Sequence, residues 1–182
     1  YLIISQSFSL INRMLLLMSG INLKNPGPKC KKSSISFAVW NMDSILARDG
    51  VKIPLVEGLD ATRNMDLYGV CESYLNKNIT NEQIHIHGFS QDPYRADCRD
   101  EGRSKGGVVL YYKPNLPIKH RPELTVNLEE TIVAELQLKN KKVFFVLSYR
   151  SPSQNKEQCE KYFLNVEVLH SKLLKEKPHT IV

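Results

Sequence analysis

Two strand-length apolar runs joined by a two-residue turn constrain the fold of this chain more than any other feature. In the first run, Thr131 to Leu138, apolar and polar side chains alternate, and the second, Val143 to Tyr149, is mostly apolar. Asn140 and Lys141 lie between the runs and are typical of a tight turn. Alternation with a period of two indicates a strand with one buried face. The sequence therefore predicts an antiparallel β-hairpin.

The rest of the chain alternates between strand and helix patterns. Apolar positions spaced three or four apart predict helices, and short apolar runs predict strands. The predicted helices are a short one around Ile53 to Leu59 and a long one over Cys159 to Leu173, and the predicted strands are Ile35 to Asn41, Leu67 to Cys71, Ile84 to Phe89, Gly106 to Tyr112 and one that begins at Thr180. Because strands outnumber helices and a hairpin occurs beside crossovers, the pattern favours a mixed α/β or α+β sandwich over a doubly wound parallel sheet.

The composition excludes several broad classes of protein. With 182 residues, 42% hydrophobic and 24% charged, the chain can form one domain with a core, and it is not wholly disordered, collagenous or a coiled coil. It contains no glycine-rich phosphate loop, zinc-protease motif or serine-hydrolase motif. The net charge of +6 raises the expectation of a polyanionic partner without deciding it. Four widely separated cysteines favour reduced thiols in a cytosolic or nuclear protein.

Residues 1–32 differ in composition from the rest of the chain. Their apolar stretches are interrupted and stay short of the roughly 20 residues that a membrane-spanning helix needs, so we expect no membrane association. Asn25 to Pro28 then predicts a turn, and Lys29 to Lys32 a basic linker. We therefore expect residues 1–32 to form a poorly ordered N-terminal segment or linker and residues 33–182 to belong to one domain.

Polar side chains follow three of the predicted strands directly. Asn41 and Asp43 follow the first, Glu72 follows the second, and Tyr149 and Arg150 end the hairpin. Neighbouring strand ends share one edge of a layered sheet, so these groups could converge there. Carboxylate and amide oxygens suit a hard cation such as Mg²⁺, and a phenol and a guanidinium can hold a phosphate. This combination is typical of phosphodiester chemistry.

Each of these residues also has a simpler explanation when it is taken alone. A glutamate at a strand end is more often a solvent-exposed loop residue than a metal ligand. Asn41 and Asp43 could be turn formers only. The functional hypothesis therefore depends on the combination.

The ordered set of motifs resembles a known superfamily. The motifs are Val39 to Asp43, Asp66 to Glu72, Gly106-Gly107, and the hairpin from Glu130 to Pro152. Together they are similar to the endonuclease/exonuclease/phosphatase superfamily. Within it, three phrases resemble the endonuclease domain of non-LTR (LINE-type) retrotransposon polyproteins: Leu46 to Pro54, Gly107 to Tyr112 and Tyr149 to Asn155. The resemblance covers about residues 34–182.

The resemblance implies a DNase I-like four-layer sandwich of two mixed β-sheets flanked by helices. The rim of this sandwich would bind Mg²⁺, with Mn²⁺ as an alternative, and the phosphate backbone of a DNA target site. The resemblance implies no small-molecule cofactor and leaves the oligomeric state open. On this pattern the catalytic residues are Asn41, Glu72 and Tyr149, the metal ligands are Glu72, Asn41 and Asp43, and the DNA-binding residues are Arg150 and Ser151. The charge-rich stretch that holds Arg95, Arg103 and Lys105 is the best candidate for a second DNA-facing segment.

The implied activity is Mg²⁺-dependent phosphodiester hydrolysis. A retrotransposon endonuclease would nick target DNA in the nucleus, after synthesis in the cytoplasm, so that the new end primes reverse transcription. Two alternatives remain open. One is an apurinic-site repair endonuclease, which Asp43 favours, and the other is a non-catalytic transposon remnant or nucleic-acid-binding fragment.

Two further expectations concern the ends of the sequence. The superfamily's next motifs, Gly-Asp-x-Asn and Ser-Asp-His, would fall beyond Val182, so we expect a domain incomplete at its C-terminus and a 182-residue chain that does not cleave DNA. These motifs supply much of the electrostatic stabilisation of the transition state. Near the other end, Leu15 to Gly20 leading into Asn25 to Pro28 resembles a ribosome-skipping (2A-like) peptide, with a simple Pro-Gly turn as the alternative.

Overall fold

The computed structural model of the protein describes residues 21–22, 34–47, 52–97, 106–125, 127–138 and 141–182. Most of the expected N-terminal segment, including the 2A-like motif, lies outside the described residues. Arg103 and Lys105 also lie outside them. The structural statements that follow refer to the described part of the chain.

Ten strands and two α-helices are assigned in the described residues. The strands are β1 (Ile21–Asn22), β2 (Ser34–Ile35), β3 (Phe37–Asn41), β4 (Leu67–Cys71), β5 (Tyr94–Ala96), β6 (Val108–Tyr112), β7 (Ile118–His120), β8 (Thr131–Leu138), β9 (Lys141–Ser148) and β10 (Thr180–Ile181). The helices are α1 (Lys52–Arg63) and α2 (Lys156–Lys175), and two short 3₁₀ turns cover Glu82–Ile84 and Pro122–Leu124.

Two four-stranded mixed sheets form the centre of the molecule. The first sheet has the order β3-β4-β6-β5, in which β3 and β4 are parallel and the other pairs are antiparallel. The second has the order β10-β9-β8-β7, in which only β10 and β9 are parallel. Strands β1 and β2 form a separate small antiparallel pair. The predicted hairpin is confirmed, since Thr131 pairs with Ser148 and Leu138 with Lys141. Lys141 belongs to β9 and not to the predicted turn, and Asn140 lies outside the described residues.

Three hydrophobic cores separate four layers. The outer face of the first sheet packs against α1 through a cluster that includes Val56 and Val70. The inner faces of the two sheets pack together, where Phe37 and Phe145 meet edge to face with ring centroids 5.3 Å apart. The outer face of the second sheet packs against α2 through Leu169 and other residues. The fold is thus an α/β sandwich of helix, sheet, sheet and helix, as the sequence predicts.

The long helix α2 has local sequence signals at its start. The side chain of Asn155 accepts a hydrogen bond from the backbone of Gln158, whose own side chain accepts one from the Asn155 backbone. This reciprocal capping box satisfies two backbone donors that would otherwise lack partners at the helix start. Leu169 and Leu173 are the buried positions of the helix, and they attach it to the second sheet.

One predicted strand is wrong. Residues 84–89 form the end of a 3₁₀ turn followed by a further turn, in which Ile84 and Ile86 are fully buried and His87 is exposed. Gly88 has a φ of 85°, which breaks an extended conformation. The alternation of apolar and polar residues that suggested a strand therefore comes from an irregular segment with two buried isoleucines.

Neither α-helix of the described residues has the length and apolar character that crossing a bilayer requires.

Candidate active site

One rim of the sandwich brings the predicted strand ends together. Strands β3 and β4 are parallel, with Asn41 paired with Cys71, so their polar continuations emerge at the same edge. Backbone hydrogen bonds then join the two following loops, from Ser44 N to Glu72 O at 2.8 Å and from Ile45 N to Ser73 O at 3.1 Å. The segment after β4 is fixed on its other side by a bond of 2.9 Å from Tyr74 N to Gly106 O. The rim is therefore a connected backbone network.

Several residues at the rim that are not glycine have left-handed backbone conformations. Asp43 has a φ of 48°, Glu72 of 52° and Tyr74 of 53°. Such conformations are unfavourable for ordinary side chains by about 1–3 kcal/mol each, and in folded proteins they cluster at functional sites. The cross-loop hydrogen bonds hold these residues in place.

Glu72 and Tyr149 form a hydrogen bond that joins the two sheets. The Tyr149 hydroxyl donates to Glu72 Oε1 at 2.6 Å, with Glu72 following β4 of the first sheet and Tyr149 following β9 of the second. Burial raises the pKa of Tyr149 well above its usual range, and the hydrogen bond to Glu72 and the negative charges of Glu72 and Glu130 raise this pKa further. Tyr149 thus stays protonated at neutral pH and acts as a hydrogen-bond donor.

A second phenol, which the sequence analysis missed, faces the other oxygen of Glu72. The Tyr74 hydroxyl lies 3.4 Å from Glu72 Oε2. Burial raises the pKa of Tyr74 above its usual range, followed by a hydrogen bond to Asp43 and the charge of Glu72. The Tyr74 hydroxyl therefore lies at the Glu72 carboxylate, with Asp43 close enough to affect its pKa. Its position two residues after Glu72 is the only sequence signal, and that spacing does not predict the positive φ values of Glu72 and Tyr74.

The loop that holds Asn41 and Asp43 is fixed from two sides. Asn41 and Asp43 are exposed, and the Asp43 backbone N–H donates to Asn41 Oδ1 at 3.4 Å. The Lys52 ammonium, at the start of α1, donates to the backbone carbonyl of Asp43 at 2.6 Å and to that of Met42. Lys52 is a further residue that sequence reasoning missed, because its role depends on the fold of the loop.

Close packing occurs where the first sheet meets Glu130. Gly106 has a φ of 99°, and a Cβ atom there would collide with the Glu130 carboxylate. The Glu130 backbone carbonyl also accepts a hydrogen bond of 3.0 Å from Tyr149 N. Glu130 is therefore a third acidic residue near the rim, and the sequence analysis did not single it out as a site residue.

The oxygen donors at the rim fit a hard divalent cation. Among the described residues, no group of three or more His, Cys, Asp and Glu lies close enough to hold a metal ion. Mg²⁺ does not require such a group, because it is usually bound by one or two carboxylates and keeps several waters. The half-buried Glu72 carboxylate, the exposed Asp43 carboxylate and the Asn41 amide match that chemistry.

The structure places Arg150 and Ser151 beside Tyr149, at the same rim. Arg150 Nη1 donates to the Ser151 carbonyl at 3.2 Å and to Cys159 Sγ at 3.1 Å. Arg150 Nε is buried and has no hydrogen-bond partner among the described residues. Ser151 Oγ lies 2.8 Å from Ser153 Oγ in the turn before α2.

Arg95 stabilises the loop between β4 and β5 through hydrogen bonds. Its guanidinium donates to the carbonyls of Asn76 and Ile79, to the side chain of Asn81, and to both carboxylate oxygens of Asp97. Only 15% of its side chain is exposed. These bonds fasten the loop after β4 to β5, so a DNA contact from Arg95 would require breaking at least one of them.

Comparison with known proteins agrees with this architecture. No protein-family model and no curated protein matches the sequence. Among solved structures, the catalytic domain of Xenopus laevis APE2 superposes with a TM-score of 0.57 at 15% identity, covering 80% of this chain and 56% of that chain. The likeness shows a DNase I-like α/β fold.

Two further solved structures are similar to the chain. The AP endonuclease LMAP from Leishmania major has a TM-score of 0.53 at 17% identity, covering 69% of this chain and 43% of that chain. The endonuclease domain of TRAS1, a telomere-specific non-LTR retrotransposon, has a TM-score of 0.50 at 16% identity, covering 75% of this chain and 52% of that chain. The chain thus spans about half the length of the structures that it matches.

Proposed function

We propose that the rim is a divalent-metal-dependent phosphodiesterase site that acts on DNA. The observation that carries this proposal is the 2.6 Å hydrogen bond between Tyr149 and Glu72, which holds a half-buried carboxylate at the rim. The Tyr74 hydroxyl faces the other oxygen of Glu72, and Asp43 is close enough to raise the pKa of Tyr74. An acidic oxygen cluster with adjacent phenol and guanidinium donors suits a metal-bound phosphodiester. The fold shared with an AP endonuclease and a retrotransposon endonuclease domain supports DNA as the substrate.

The residues have distinct tasks in this proposal. Glu72, Asp43 and Asn41 would hold Mg²⁺, or Mn²⁺ in its place, and the cation would supply charge stabilisation for phosphodiester hydrolysis. Tyr149, which keeps its proton, would donate a hydrogen bond to a phosphate oxygen. Arg150 and Ser151 would contact the neighbouring DNA phosphates.

The finer form of the proposal is the endonuclease of a non-LTR retrotransposon, which nicks target DNA in the nucleus to prime reverse transcription. The sequence phrases from Leu46, Gly107 and Tyr149 support it. The likeness to the TRAS1 endonuclease domain concerns the fold. The expectation that the 182-residue chain does not cleave DNA stays a prediction.

Metal and DNA binding test the proposal on the chain itself. Isothermal titration with Mg²⁺ and fluorescence anisotropy with a labelled duplex would compare the unmodified protein with Glu72→Gln and with Glu167→Gln, an exposed glutamate on α2. We expect Glu72→Gln to weaken Mg²⁺ binding at least tenfold and to abolish the Mg²⁺-dependent part of DNA binding, with Glu167→Gln unchanged. Metal binding that is absent, or equal in the two variants, would contradict the proposal.

An apurinic-site endonuclease is the second candidate, and Asp43 in the sequence Trp40-Asn41-Met42-Asp43 favours it. The same anisotropy assay with a duplex that carries one abasic site distinguishes the two candidates. A tenfold preference for the abasic duplex supports the repair enzyme, and equal affinity supports the retrotransposon endonuclease. Nicking of supercoiled plasmid that Glu72→Gln abolishes would support the site and contradict the expected inactivity of the chain.

A further inference from the structure

Tyr74 has contacts that a surface tyrosine does not need. Its backbone N–H is bonded to the Gly106 carbonyl at 2.9 Å, and its φ of 53° turns the chain at that point. The hydroxyl at the end of the ring lies 3.4 Å from Glu72 Oε2, and Asp43 is close enough to raise the pKa of Tyr74. The backbone bond thus fixes the base of this ring, and the Glu72 carboxylate lies at its tip with Asp43 nearby.

The two phenols at the rim have different surroundings. Tyr149 reaches Glu72 from the second sheet, at Oε1, whereas Tyr74 reaches the same carboxylate from the first sheet, at Oε2. Each carboxylate oxygen can accept about two hydrogen bonds or metal contacts, so both oxygens keep capacity for a cation. Tyr74 also interacts with Asp43, which lies on the loop after the neighbouring strand β3.

Two carboxylates that lie close together repel each other, and their side chains separate unless a donor or a cation lies between them. A hydroxyl at both groups reduces this repulsion and restricts their rotamers. Partners that orient metal ligands in this way typically change metal affinity 10–100-fold when they are removed.

We propose that Tyr74 is a positioning residue, which holds Glu72 and Asp43 in the arrangement that a divalent cation requires. The inference rests on the proposed function, because it takes these two carboxylates to be metal ligands. It adds a residue that contacts Glu72 and is distinct from Tyr149 and Arg150, which would bind the DNA phosphates.

The test compares two variants that each lose one hydroxyl group. Tyr74→Phe removes the hydroxyl at the rim, and Tyr112→Phe removes one that donates to the Asp92 carbonyl at 3.1 Å in a different part of the first sheet. The affinity for Mn²⁺ alone is measured by electron paramagnetic resonance, and the metal-free melting temperature by circular dichroism. We expect Tyr74→Phe to weaken Mn²⁺ binding about tenfold, whereas Tyr112→Phe binds Mn²⁺ like the unmodified protein. A purely structural role would instead lower the melting temperature and leave the Mn²⁺ affinity unchanged.

A double-mutant cycle with Asp43→Asn provides a second measurement. If Tyr74 acts by holding Asp43, the effects of the two substitutions on Mn²⁺ affinity are less than additive. Tyr74→His, which keeps a ring donor, is used if Tyr74→Phe does not fold, and it should retain more affinity than Tyr74→Ala. Fully additive effects, or equal affinity of the two position-74 variants, would overturn the inference.

The outcomes separate this inference from the proposed function. Glu72-dependent Mn²⁺ binding that Tyr74→Phe leaves unchanged overturns the role of Tyr74 and retains the metal site. Mn²⁺ binding that does not depend on Glu72 overturns the metal site, and the role of Tyr74 with it.

Discussion

At the scale of single residues, the rim depends on backbone conformations that its side chains do not favour. Asp43, Glu72 and Tyr74 all have positive φ values, and each has a backbone or side-chain contact to a neighbouring segment of the rim. A substitution that adds strain at this network should therefore be more harmful than the same substitution elsewhere.

Gly106→Ala provides that comparison. Alanine at position 106 would have to adopt a φ of 99°, and its Cβ atom would collide with the Glu130 carboxylate. We therefore expect the free energy of unfolding to fall by about 1–3 kcal/mol. Gly58→Ala is the matched control, because Gly58 lies in α1 with nothing within 4 Å of its Cβ position. Alanine there should raise stability by up to about 1 kcal/mol. Urea denaturation measures both changes, and equal effects at the two sites would contradict the expectation.

His120 should make stability depend on pH. Its ring stacks on Tyr94 with centroids 4.6 Å apart, and burial lowers its pKa below the ordinary 6.5, although the charge of Glu123 acts in the opposite direction. The folded state thus favours neutral histidine, so this contribution is complete above pH 6.5 and is lost as the pH falls below 6.5 and through the lower pKa of the folded state. We expect the melting temperature to fall more between pH 7.5 and 5.5 in the unmodified protein than in His120→Phe. Identical pH profiles would exclude this role for His120.

The candidate site could be predicted only where it depends on strand ends. The sequence predicts Asn41, Glu72 and Tyr149 at one rim because each directly follows an apolar run, and the structure places all three there. Tyr74 and Lys52 were missed, because their contacts depend on loops with unusual φ values. These loop conformations leave no periodic pattern in the sequence.

At the scale of elements, α2 is the part of the fold with the most explicit local signals. Its capping box pairs the side chains and backbones of Asn155 and Gln158. We expect Asn155→Ala to lower the free energy of unfolding by about 1 kcal/mol. The double variant with Gln158→Ala should lose less than the sum of the single losses, because the two residues act as one cap. Thermal denaturation followed by circular dichroism at 222 nm measures these differences, and strictly additive losses would exclude a shared cap.

The elements also show where periodicity is informative and where it is not. The hairpin of β8 and β9 has eight residues in each strand, long enough for alternation to be distinct. Strands β5 and β7 have three residues each and lie at sheet edges, and the sequence analysis did not find them. Ile84 to Phe89 alternates like a strand because a turn can also bury every second side chain. Short edge strands and irregular buried segments thus lack a distinctive pattern.

At the scale of the whole molecule, the separation of the two sheets is set partly by Gly69. A Cβ atom at this position in β4 would lie 3.1 Å and 3.3 Å from the Leu147 methyl carbons and 3.3 Å from Val39 Cγ2. Gly69→Ala should therefore displace Leu147, on the second sheet, by a few tenths of an ångström. Glu72 lies three residues after Gly69, and Tyr149 lies two residues after Leu147. We therefore expect the Mg²⁺ affinity of Gly69→Ala to fall severalfold while its unfolding remains cooperative. Unchanged Mg²⁺ affinity would show that the rim is independent of the packing between the sheets.

The hydrogen bond between Tyr149 and Glu72 has a consequence for how the protein responds to heat. Because the proposed metal ligands follow strands of the first sheet and Tyr149 follows a strand of the second, the geometry of the site depends on contacts between side chains deep in the sandwich as well as on its own residues. Hydrophobic contacts tolerate small sliding movements, whereas a 2.6 Å hydrogen bond does not. On warming, we therefore expect the site to lose its cation affinity several degrees below the temperature at which the sheets and helices melt.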